Sequence, residues 1–268
     1  MPVVHQPSVD FPSGRVAPQH VADAIAVVVA DAGELPGGGT RTLHYRAGTS
    51  DEGVIDDVFT KRSYDLRRLD RTPAQHRRAD ILAFLEREQS KTGKRPLIID
   101  AGANIGATPV YFLSEFPTSR IVAIEPDAAN FELMRRNVEG APVDCVRAVV
   151  AARPGRARVV DPGEGNWGLR TEPSDVGDVA CVTIGDILQH YASTHFPFIA
   201  KIDIEGAEAD LFSANVAWVE QMPIVAIELH DWLMPRAATS RAFLRCVSAL
   251  DRDFTNVGDT MYSIRNDC

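Results

Sequence analysis

From Pro96 onward the chain alternates short apolar runs with segments of helical periodicity. PLIID precedes IGATPVYFLSEF, and RIVAIE precedes AANFELMRRNVEG. After VDCVRAVVA, the run VACVTI leads into GDILQHYAS, FIAKIDIE into GAEADLFSANVAWV, and PIVAIELH into ATSRAFLRCVSAL. Runs rich in β-branched residues, without polar alternation, suit strands covered on both faces. Their alternation with helices implies a parallel sheet wrapped by helices. At the end, DFTNV and TMYSI flank Gly258-Asp259, a two-residue turn that predicts an antiparallel hairpin. The expected fold is α/β: a doubly wound, mostly parallel, Rossmann-like sheet that closes with that hairpin.

Upstream the pattern is less regular. Residues 1–40 are rich in Pro and Gly apart from VADAIAVVVADA and form an N-terminal extension. TLHYRA, from Thr42 to Ala47, alternates as a half-buried strand would, and the segment SDEGVIDDVFTKRSYDL reads as mixed helix and loop. Thr72 before Pro73, with Gln75 three residues after the threonine, has the form of a capping box with proline at the first helical position. The helix it predicts runs out by Gly93. The organisation is thus an extension over 1–40, a strand and helical cover segment over 41–95, and a ligand-binding domain over 96–268.

Composition narrows the function. With 45% hydrophobic and 24% charged residues among 268, a globular core can form. A net charge of −9 argues against duplex nucleic acid or an anionic bilayer as partner. The four cysteines, Cys145, Cys181, Cys246 and Cys268, lack CxxC or Cys/His spacing, so they indicate neither a zinc site nor a disulfide framework. The start lacks a basic segment followed by an apolar one, and Val21–Ala32 is too short to span a membrane. A cytoplasmic location is the expectation.

The strongest chemical signal is LIIDAGANIG, a buried strand ending at Asp100 with Gly102, Asn104 and Gly106 leading into a helix. Glycines there let the backbone turn tightly and approach a ligand. Glu125 closes the next strand, where an acid can accept both hydroxyls of a ribose. Asn104 stands where a dinucleotide fingerprint wants its second glycine, which disfavours close approach of a pyrophosphate. A strand-end aspartate repels phosphates and can hold a cationic amino group, such as that of S-adenosylmethionine.

Further acids lie at later strand ends. FIAKIDIEG places Asp203 and Glu205 at the ligand-binding edge of the sheet, with Lys201 and Asp203 pointing the same way. Both acids also suit the start of the helix that follows. IVAIELH brings Glu228 and His230 to the same edge, and imidazole is the natural acceptor for a hydroxyl proton near neutral pH. His76, His190 and His195 have no acidic companions at strand ends and read as structural. Should Asp203, Glu205, Glu228 and His230 converge, they would suit a hard divalent ion such as magnesium. The Gly/Pro/Asp-rich stretch 161–178, with Asn166, Trp167 and Arg170, reads either as an acceptor lid or as a solvated loop.

IIDAGANIG, AIEPDAANFELMRRNV, AKIDIEGAEADLF and IVAIELH together resemble the ordered motifs of the FkbM family of S-adenosylmethionine-dependent methyltransferases, over about residues 50–265. The resemblance implies a class I methyltransferase fold and O-methyl transfer to a hydroxyl of a small natural product or sugar. It implies that Asp100, Gly102, Asn104 and Gly106 form the loop around the methionine part of the cofactor and that Glu125 clamps the ribose. Pro126 and Ala148 would then border the adenine, Tyr64 would cover the cofactor, and Asp203 would stand near the reactive methyl. His230 is the expected base, with Asp203 orienting the acceptor. The alternatives are an NAD-linked dehydrogenase and a non-catalytic S-adenosylmethionine-binding module. A homo-oligomer is compatible with the unassigned extension.

Overall fold

The computed structural model describes residues 25–28, 42–72, 75–160, 170–174 and 176–268, with the backbone alone for 25–28 and 170–173. β1 (Ile25–Val28) and β2 (Thr42–Tyr45) pair as an antiparallel ribbon. α1 (Asp51–Ile55) runs directly into a π-helical turn, Asp56–Thr60, and a 3-10 turn follows at Leu66–Leu69.

α2 (Arg77–Thr92) ends on Gly93 at φ 67°, as expected of a left-handed C-terminal cap. Its start corrects the expected capping box. The Gln75 carboxamide does accept the Thr72 and Arg71 amides, at 3.0 and 2.7 Å, but the helix opens only at Arg77. There the Asp70 carboxylate accepts the Arg77 amide at 2.6 Å and the Arg78 amide at 3.4 Å. The local motif forms a turn, and an acid seven residues upstream caps the helix.

The main sheet is built from β3 (Arg95–Ala101), α3 (Ala107–Glu115), β4 (Arg120–Ile124), α4 (Ala128–Asn137) and β5 (Val143–Val146). A small second sheet interrupts: β6 (Ala148–Val150), β7 (Gly155–Val160), β8 (Arg170–Pro173) and β9 (Val179–Val182). The chain then returns through α5 (Ile184–Tyr191), β10 (His195–Ile202), α6 (Glu208–Leu211), α7 (Trp218–Gln221), β11 (Ile224–Glu228), α8 (Arg241–Val247) and the hairpin β12 (Arg252–Val257) and β13 (Thr260–Arg265).

The seven strands are ordered β12-β13-β11-β10-β3-β4-β5, parallel from β5 to β11. The terminal hairpin adds antiparallel, with Val257 opposite Thr260 across the expected turn. One expectation needs correction: VACVTI, read as another strand of the main sheet, is β9 and lies in the four-stranded sheet β6-β9-β7-β8. Of its four residues only Val179 is buried, so it lacks the two-sided cover of a central strand.

Along β3 successive side chains face opposite helical layers: Ile98 joins the cluster of Leu43, Tyr64 and Phe112, while Leu97 and Ile99 join that of Ile184 and Phe243. The cover segment 41–95 shares this first core, contributing Leu43, Val58, Leu66, Ile81 and Phe84. The four cysteines are free, and among the described residues no helix is long and apolar enough to cross a membrane. Strand order reverses between β3 and β10. Their carboxyl ends therefore open the crevice where such sheets bind ligands.

Candidate active site

The loop after β3 is made by its backbone. Gly102 and Asn104 have φ values of 79° and 49°, and the Gly102 and Ala103 amides both donate to Ile124 O at 3.0 Å. The Asp203 amide donates to Ala101 O at 3.0 Å, drawing the loop after β10 against it. A β-carbon on Gly102 would lie 1.8 Å from the Asp203 carbonyl oxygen, so only glycine permits this approach.

Glu125 closes β4 with its carboxylate held by backbone. Oε2 accepts the Asn104 amide and Oε1 the Asp127 amide, each at 2.9 Å. Burial pushes its carboxyl up to about 7, against the pull of those two amides. Glu125 lines a small cleft of about 70 Å³ at this sheet edge. Its lining combines the backbone loop at Gly102 and Asn104, the apolar residues Ile124, Pro126, Ala148 and Val149, and the acids Asp203 and Glu205.

A second crevice of about 250 Å³ shares Gly102, Asn104, Asp203 and Glu205 with the first and extends to Glu228, Tyr64, Asp57 and Asp259. Lys201 also lines it, with its ammonium 3.2 Å from Asp100 and 3.5 Å from Asp203 and donating to Gly102 O at 2.6 Å. Burial works to lower Lys201, but the two carboxylates outweigh it and hold the ammonium above its ordinary range. Glu205, at φ 52°, is raised to about 8 by burial and then by Asp203; Glu228 is raised to about 7 by the same two causes. His230 is 1% exposed, with Nδ1 2.7 Å from Glu208 Oε1. Burial opposes its charge, yet the Glu208 hydrogen bond and the Asp203 and Glu205 carboxylates lift it to about 9.

These placements sort the candidates. Gly102, Asn104, Glu125, Pro126, Ala148, Asp203 and Glu205 line the cleft; Tyr64 and Glu228 line the adjoining crevice. Three expected site residues line neither the cleft nor the adjoining crevice. Asp100 is 0% exposed and pairs with Lys201 at 3.2 Å. Gly106, at φ 85°, starts α3 where a β-carbon would come 3.1 Å from Met134, so it serves helix packing. His230, encircled by carboxylates and held protonated near neutral pH, is not a free base.

The sequence places Lys201 beside Asp203 without revealing its role, and it does not single out Glu208 or Asn130, which meet His230 and the cleft. A lysine inside the apolar run FIAKI is a legible signal, because a buried ammonium requires partners; nothing local distinguishes Glu208 or Asn130. Asn166, Trp167 and most of the stretch 161–178 lie outside the described residues, as does the Arg170 side chain.

A switch-point cleft with an acid ending the second parallel strand, in a sheet that ends in an antiparallel hairpin, is the fold of class I methyltransferases. The model for the methyltransferase FkbM domain matches residues 100–254, more than half of the chain, and the chain belongs to that family. A curated relative, the release factor glutamine methyltransferase of Mycobacterium leprae, is 39% identical over 57 residues, 21% of this chain; the match spans only 20% of that relative's length. Among solved structures, an O-methyltransferase from Bacillus cereus in complex with SAH is similar at 12% identity and TM-score 0.38, over 81% of this chain and 98% of that one. A precorrin-6y C5,15-methyltransferase from Geobacter metallireducens is similar at 12% and 0.34, over 68% and 86%.

Proposed function

We propose that the chain transfers a methyl group from S-adenosylmethionine to a hydroxyl of a small natural product or sugar. The observation that carries this is the charge of the cleft. Glu125, Asp203 and Glu205 line it, and among the described lining residues there is no Lys or Arg. The Asp203 carboxylate, joined by Glu125 as it ionises through about 7, repels a pyrophosphate and favours a cationic ligand, which supports the sulfonium cofactor over a nicotinamide dinucleotide.

Glu125 would take the ribose hydroxyls, Ile124, Pro126, Ala148 and Val149 the adenine, and Gly102 with Asn104 the amino-acid end. When bound, the cofactor supplies a methyl on cationic sulfur: the acceptor oxygen forms the new O–C bond as the S–C bond breaks and its electron pair stays on sulfur. The chain's contribution is mainly positioning, worth up to ~7–11 kcal/mol in favourable systems. The hydroxyl proton passes to a carboxylate of the Asp203, Glu205 and Glu228 group, with His230 ordering those acids.

Calorimetry with S-adenosylmethionine and NADH, followed by assay of S-adenosylhomocysteine release over a panel of hydroxylated acceptors, tests the reading. Cofactor binding and acceptor-dependent release are expected. NADH binding in place of S-adenosylmethionine would overturn the proposal, and binding without release from any acceptor would favour a non-catalytic module. Glu125→Gln should weaken cofactor binding by about 10- to 100-fold, the loss of charge-assisted hydrogen bonds of about 1.5–3 kcal/mol. Wild-type affinity should rise with pH toward a plateau above about 7, as Glu125 ionises, and the variant should lose that slope.

A further inference from the structure

Asp203, Glu228 and His230 each present one ligand atom within 4.8 Å of the other two. We propose that they bind a first-row divalent cation, of the Mn2+ or Zn2+ type, beside the cofactor cleft. The spacing around the imidazole is the first argument. His230 Nε2 stands 3.5 Å from Asp203 Oδ1, another of the three ligand atoms. That is longer than the ~2.9 Å of a good N–H···O bond. It is close to the roughly 3.4 Å separating two ligands that sit ~2.1 Å from one tetrahedral ion.

The second argument is independent of the acids in the crevice. The His230 side chain is 2% exposed, and its other nitrogen is tied at 2.7 Å to Glu208, itself 0% exposed. A buried carboxylate on the far nitrogen fixes the ring with Nε2 facing Asp203, the arrangement that orients metal-ligating histidines and raises their basicity, and the ion takes the place of the Nε2 proton, which is released to solvent. Glu208 is held in turn by the Gly206 amide at 3.3 Å.

The donor set decides the class of ion. Two carboxylates and an imidazole suit Mn2+ or Zn2+ better than magnesium or calcium, which take oxygen ligands. Three protein ligands beside an open crevice leave positions for water or a substrate oxygen, as in catalytic metal sites. The binding claim stands on these residues alone. Its use rests on the methyl-transfer reading: the ion would take the acceptor's hydroxyl oxygen as a ligand and favour loss of its proton to Glu205.

The test uses the full chain after chelator treatment. Mn2+ is titrated with electron paramagnetic resonance of the free ion as readout, and Zn2+ and Mg2+ are titrated by calorimetry. One Mn2+ or Zn2+ per chain is expected, with Mg2+ much weaker. Asp203→Asn and Glu228→Gln should each lower affinity at least tenfold, and Glu208→Gln by about 10- to 100-fold through ring orientation. Asp253→Asn, on the exposed edge strand, should leave it unchanged. No stoichiometric binding by the wild type, equal affinity in the Asp203→Asn and Glu228→Gln variants, or equal preference for Mg2+ would each overturn the proposal. S-adenosylmethionine binding, measured on the same chelated protein, reads the methyltransferase assignment separately: retained cofactor binding without ion binding sinks the metal site alone.

Discussion

Lys201 is a charged side chain, 2% exposed, in the middle of an apolar strand, and its surroundings explain why the fold tolerates it. It pairs with Asp100 and Asp203 and donates to the carbonyl of Gly102, so one ammonium joins the loop after β3 to the end of β10. Removing one member of a buried pair leaves an uncompensated charge, whereas replacing both can be nearly neutral. Lys201→Met should therefore cost about 3–5 kcal/mol in denaturant unfolding. The double variant with Asp100→Asn should recover most of that loss. Additive destabilisation of the two changes would show that the pair does not act as a unit.

At the scale of elements, α2 shows how a helix start is chosen. The Thr72-Pro73-Gln75 pattern has the local form of a cap, but its backbone amides are satisfied by Gln75 in a turn, and the Asp70 carboxylate meets the first helical amides instead. Asp70→Ala should cost about 1 kcal/mol, the usual value of an N-terminal cap. Thr72→Ala should cost far less, because Thr72 contributes its backbone amide to that turn. Urea unfolding of both variants separates them; equal losses would restore the threonine as the cap. The hairpin depends on similar long-range contacts: Tyr262 donates to Ser63 O at 2.7 Å, and buried Arg252 donates to the carbonyls of Val219, Met222, Pro223 and Ser263.

The whole molecule carries a net charge of −9 and gathers several acids at one sheet edge, which couples its stability to pH. Glu125, Glu205 and Glu228 are raised from 4.5 to about 7, 8 and 7. A raised carboxyl binds its proton more tightly when folded, so the stability it contributes is complete below about 4.5 and is lost as pH rises through the folded value. His230, raised from 6.5 to about 9, has the same sign: its contribution is complete below 6.5 and fades through about 9. The ligand-free, metal-free chain should accordingly unfold at progressively lower denaturant concentration from pH 5.5 to pH 9. A midpoint that is flat or rises over that range would contradict the buried-acid arrangement. A cationic ligand should offset part of the loss, most strongly at the alkaline end.

Local patterning alone determined the α/β alternation, the turn at Gly258-Asp259, the glycine loop after Asp100 and the acid ending the next strand, because each depends on covalent neighbours and on whether a run is apolar. It could not determine which sheet VACVTI joins, since hydrophobicity reports burial and not the partner strand. Nor could it separate Asp100 from Glu125: both end buried strands, and only packing sets one carboxylate against Lys201 and the other in the lining of the cleft. The protonation of His230 was likewise decided in three dimensions, by Asp203, Glu205 and Glu208 arriving from a different strand end. Charge interactions depend on distance through space, and that distance exists only once β10 and β11 lie side by side.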